Sequence, residues 1–82
     1  MTLTDLPHRT LATVDSVQEL GDHDNIARRL RELGFVAGEQ VEVVAVGPLG
    51  GEPLLVQVGF TRFALRRSEA ARVHLTANGV PA

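Results

Sequence analysis

The sequence predicts a mostly β domain: a small barrel of five short strands, with one α-helix inserted after the first strand and a short helical turn before the last. Three observations predict it. Four β-rich runs follow Gly38, separated by Gly-, Pro- or Ser-containing turns. One stretch, Ile26 to Leu33, has helical rather than alternating periodicity. Five short strands left as an open sheet would expose two edges, and closure into a barrel removes them. At 82 residues the chain has the length of one domain, spanning residues 1–82. A chain this short buries only about two-thirds of its unfolded surface, so its stability margin is thin.

The elements follow in order. Met1 to Thr10 is a lead-in with Leu3 and Leu6 as apolar anchors, and Pro7 breaks any helix there. Leu11 to Val17 is the first strand, although neither of its faces is cleanly apolar. Gly21-Asp22-His23-Asp24 is turn chemistry, with Asp22 or Asp24 placed to accept from the free amides of a helix start. The helix runs from Asp22 to Leu33 with Ile26, Leu30 and Leu33 as its apolar stripe and Ala27 beside them; Gly34 ends it. Glu39 to Val46 is β-branched, and its apolar run from Val43 suggests cover on both faces. Gly47 to Pro53 reads as a loop. Leu54 to Val58 and Phe60 to Arg66 are strands joined by a tight turn at Gly59. Arg67 to Ala71 is one helical turn, with Ser68 suited to cap it, and Arg72 to Thr76 is the last strand. Residues 77–82 form a tail expected to fray.

Composition narrows the function. The only aromatics are Phe35, Phe60 and Phe63, so the core is expected to be aliphatic, and a polyproline groove lacks its aromatic lining. The net charge of −2 counts against nucleic acid, whose binding draws on a basic excess. Charge is nevertheless uneven. Met1 to Ala27 holds five acids and one base, whereas Gly59 to Ala82 holds four bases and one acid. Such a dipole can orient a partner on approach. The chain has no cysteine, which removes disulfides, thiolate metal sites and cysteine nucleophiles. No apolar run nears the ~20 residues of a membrane span, and the N-terminus lacks signal-peptide character, so a cytoplasmic location is expected.

The run ARRLRELGFVAGEQVEVVAVGPLGGEPLLVQV, followed by ALRRSEAARVHL, closely resembles the FeoA family of ferrous-iron transport accessory proteins. The resemblance covers about Leu3 to Leu75. It is carried by the LRELG helix end, the VEVV strand, the PLG loop and the ALRRSEA segment. One departure is Ala37, where a Pro often precedes the Gly of the turn. The resemblance implies an SH3-like barrel with an inserted helix. It also implies a cytoplasmic partner of the FeoB membrane transporter, which carries a GTPase domain and moves ferrous iron.

The candidate sites are weighed on their own chemistry. No acid, base and nucleophile assemble, and GPLGG lacks the GK[ST] of a phosphate loop, so no enzyme activity and no required cofactor are expected. Asp22, His23 and Asp24 are the one local cluster of metal-ligand types. Adjacent residues point apart, so the cluster reads first as a helix cap, and as a weak surface site for an adventitious divalent metal second. Partner-binding candidates are Leu49 and Gly50 in the loop, Arg28 and Arg31 on the helix, and the pair Arg66 and Arg67. Leu49 either anchors in a partner pocket or folds back over the barrel end. The paired Arg residues hold either Glu69 or a partner carboxylate. The expected role is an adaptor on a FeoB-type transporter that reaches the membrane only through that partner, with a weak homodimer also admitted. The alternative is a metal-responsive domain whose ligation drives self-association.

Overall fold

A computed structural model describes residues 1–76; the tail expectation for residues 77–82 lies outside the described residues. Five antiparallel strands, one inserted helix and a short helix before the last strand are present, as the sequence predicts. The strands are β1 (Leu11–Val17), β2 (Gln40–Leu49), β3 (Glu52–Val58), β4 (Thr61–Leu65) and β5 (Val73–Leu75). The helices are α1 (Asn25–Leu33) and α2 (Arg67–Ala70), and a 3₁₀ turn spans Leu3–Asp5. Sheet order is β4-β3-β2-β1-β5. The expected closure is therefore incomplete: the hydrogen-bonded ladder stays open between β4 and β5, which α2 connects in sequence. The outer edge of β5 is taken by the N-terminal segment, through Leu75 N–H to the Met1 carbonyl (2.8 Å) and a Thr2–His74 bridge.

Three register shifts interrupt simple alternation, two of them before the β2–β3 tip and one, at Gly47–Pro48, within it. In β1, Ala12 and Val14 are buried, then the register shifts between Val14 and Ser16, so Val17 rather than Ser16 turns inward. In β2, Val41 and Val43 are buried, and the register shifts between Val43 and Ala45. The carbonyls of Val43 and Val44 accept from Arg9 N–H and His8 Nε2. Cover on both faces of β2 does not extend further, because Ala45 and Val46 are exposed beyond the end of the core.

The core is built from Leu3, Leu6, Ala12, Val14, Leu30, Phe35, Val41, Val43, Leu54, Val56, Val58, Leu65, Ala70, Val73 and Leu75. It is aliphatic except for Phe35, which is fully buried and packs at 6.3 Å, tilted, against half-buried Phe63. Helix α1 begins three residues later than expected, because Asp24 is its N-cap and accepts from Ile26 and Ala27 N–H at 3.1 Å. Its inward face is Ala27 and Leu30, with Leu33 half-buried; Ile26, in the first turn, lies in solvent. Gly34 closes the helix at φ 116°, a left-handed conformation that suits glycine. The cap of α2 also differs: Arg66 is the N-cap, its N–H bonded to Glu69 Oε1 at 2.8 Å, and Ser68 lies inside the helix.

Candidate partner-binding surface

The segment Gly47 to Pro53 is not a loose loop. Strands β2 and β3 extend through it and meet in a two-residue turn, Gly50-Gly51, between the paired Leu49 and Glu52. Both glycines have positive φ, 66° and 81°, which is the requirement of a type I′ hairpin turn. The arm is tight at its base. A Cβ on Gly47 would overlap the Glu52 carbonyl and come within 2.7 Å of Pro53 Cδ, so glycine alone permits this close approach. The tip is also pinned from outside. Glu52 Oε2 accepts from Arg67 N–H at 3.0 Å, and the Arg67 guanidinium lies over Gly51.

This rigid arm carries Leu49, which is 81% exposed, and Val46, which is 48% exposed. Leu49 therefore does not fold back over the barrel end. Leu49, Gly50 and Arg67 come together at one tip. Arg66 stands beside them in sequence, with its side chain exposed. Arg28 and Arg31 are elsewhere, on α1. The end of that helix packs at Val58, about 20 Å along β3 from Glu52 at ~3.3 Å per residue. Arg28 pairs with Glu32 at 4.0 Å on the helix surface, and Arg31 pairs with Glu19.

Asp22, His23 and Asp24 do not converge on one point. His23 is held at φ 59° and is exposed, whereas Asp24 is turned inward and committed to structure. Asp24 pairs with Arg72 and accepts from Leu20 N–H at 2.8 Å besides the two helix amides. The Arg72 guanidinium first, and the Leu20 and Ala27 amides next, hold its carboxyl far below the usual range. Among the described residues no three His, Asp or Glu side chains group as a metal site. Sequence reading missed two features here. Phe60 is fully exposed in the turn before β4 rather than within the strand, and the two-residue spacing of Gly59-Phe60 was its signal. The Asp24–Arg72 pair joins residues 48 positions apart and left no local signal.

Comparison with known proteins decides the family. The FeoA domain model matches residues 1–77. The chain belongs to the FeoA family. FeoA from Stenotrophomonas maltophilia, solved in complex with zinc, is 68% identical over 96% of this chain and 93% of that one, with a TM-score of 0.88. That protein is described as an SH3-domain protein and a candidate ferrous iron transport activating factor. Chlorobium tepidum FeoA is 33% identical over 92% of this chain and 68% of that one, at TM-score 0.77. The iron(II) transport protein A of Clostridium thermocellum is 30% identical over 96% of this chain and 46% of that one, at TM-score 0.80. No curated protein matches. The fold of this FeoA-family chain is therefore SH3-like, and its family role is that of an accessory factor in ferrous-iron transport.

Proposed function

We propose that this FeoA-family protein is a cytoplasmic, non-enzymatic adaptor that docks on the cytoplasmic portion of a FeoB-type transporter and regulates ferrous-iron uptake. The observation that carries the reading is Leu49, four-fifths exposed on an arm fixed by Gly47, the double-glycine turn and the Glu52–Arg67 bond. A preorganised apolar tip loses little conformational freedom when it enters a pocket. Arg67 beside it, with Arg66 next in the chain, suits a pocket with acidic groups at its rim. Regulation then requires that the adaptor bind one state of the transporter more tightly than another.

The test is a titration of the protein with the transporter's cytoplasmic portion, with and without Fe²⁺ and with GTP or GDP. Saturable binding whose affinity depends on the nucleotide is expected. Absence of binding in every state would overturn the adaptor role. The zinc bound to the Stenotrophomonas maltophilia relative favours a second reading, in which metal ligation drives self-association. Chelation separates the two: the adaptor keeps its fold and its transporter binding in EDTA, and the metal-driven domain loses its assembly.

A further inference from the structure

The sheet ends on β4. This strand pairs with β3 in the register Val58–Thr61, Val56–Phe63 and Leu54–Leu65, around the two-residue turn Gly59-Phe60. In such a hairpin the residues flanking the turn exchange both backbone bonds, and every second pair does so after them. Thr61, Phe63 and Leu65 therefore bond inward to β3. The N–H and C=O groups of Arg62 and Ala64 point away from the sheet. Among the described residues no other segment takes them up. The opposite edge differs, since Met1 and Thr2 cover β5. At the head of the open edge stands Phe60, fully exposed.

We infer that this edge is a self-association surface, on which a second copy of the chain adds its own β4 antiparallel across a two-fold axis without any metal. Only residues with outward backbone groups can face one another, which leaves three symmetric registers. Centring on residue 62 sets Arg62 against Arg62 of the second copy. Centring on residue 64 sets Arg62 against Arg66. Both oppose like charges directly, which is destabilising in a sheet. Centring on Phe63 sets Arg62 against Ala64, and all four outward-facing N–H groups gain acceptors. The same register brings Phe60 level with Arg66 of the second copy, an aromatic ring against an exposed guanidinium. It also sets the two half-buried Phe63 side chains side by side at the seam. Charge thus selects one register, and that register is self-complementary. The contact is small, one short strand on each side, so the dimer is weak and reversible.

Sedimentation equilibrium of the full chain in EDTA, from micromolar to millimolar concentration, tests this. A monomer–dimer equilibrium is expected, with amide exchange of Arg62 and Ala64 slowing as concentration rises. A64E places a carboxylate opposite each Arg62 and should tighten the dimer roughly 2- to 30-fold, the effect of two cross-strand ion pairs. A64R places like charges there and should leave a monomer. Phe60→Ser, in an exposed turn, should weaken the dimer without lowering the melting temperature, and it keeps the test valid if a position-64 variant folds poorly. The inference is overturned if the wild type is monomeric throughout. It is equally overturned if association needs zinc, if A64E and A64R act alike, or if the Arg62 and Ala64 amides are protected only on adding the transporter fragment.

Discussion

Substitution of Leu49 tests the docking surface most directly. Complete burial of a leucine side chain contributes about 1.5–3 kcal/mol. Because Leu49 is 81% exposed, about four-fifths of that is still available to a partner, or roughly 1–2.5 kcal/mol. At about 1.4 kcal/mol per tenfold, losing this anchor weakens binding some 5- to 60-fold. Leu49→Asp should exceed that, since it also pushes an unpaired charge into a dry pocket. Its effect on folding should stay within about 0.5 kcal/mol, as for other exposed positions free of special backbone demands. Calorimetric titration against the transporter's cytoplasmic portion reads the first quantity, and a thermal melt reads the second. Arg28→Glu, on the distant helix, serves as the control. Normal binding by Leu49→Asp in a folded protein would refute the anchor. If Arg28→Glu failed at the same time, the interface would be electrostatic and centred on α1.

Three further outcomes follow from the packing. Leu30 is 2% exposed, so Leu30→Ala should cost ~2–5 kcal/mol, a large share of the ~4–12 kcal/mol available to a domain this size, and should drop the urea midpoint sharply. Gly47→Ala drives a methyl group into the Glu52 carbonyl; it should cost ~1–3 kcal/mol or open the arm, seen as a lower midpoint together with loss of cross-strand NOEs between Val46 and Leu54. Asp24→Asn keeps the cap but loses the charge facing Arg72. The folded carboxyl titrates below its unfolded value, so its contribution is complete above about pH 4 and lost as the pH falls toward the folded value. The stability gap between wild type and Asp24→Asn should therefore be widest near neutrality and shrink below about pH 4, and a gap independent of pH in urea melts would contradict the pairing.

The parts of this fold that were legible in the sequence are those set by residues close to one another. Leu30, Gly34 and the β-branched run after Gly38 act through local periodicity and turn chemistry, and the structure places them as expected. Features set by residues far apart were hidden. Ile26 looked like part of the buried stripe, yet it is exposed in the first turn of α1, and the inward face is made by Ala27 and Leu30, while the Asp24–Arg72 pair that ties this end of the helix to the residue before β5 gave no local signal. The bulge in β1 moved Val17 in, because an extra residue reverses the face of everything after it; Val46, paired with buried Leu54, is exposed because β2 runs on beyond the end of the core. The same physics explains why Gly47 to Pro53 read as a loop. Glycine and proline mark breaks in most contexts, but here Gly47 and Pro48 occupy a bulge and Gly50-Gly51 a hairpin turn, so the residues that suggest flexibility enforce a stiff arm. That reversal matters for function. A flexible loop would have to order itself on every encounter, whereas in the proposed docking this arm presents Leu49 already displayed, and its contact with Arg67 ties the tip to the start of α2.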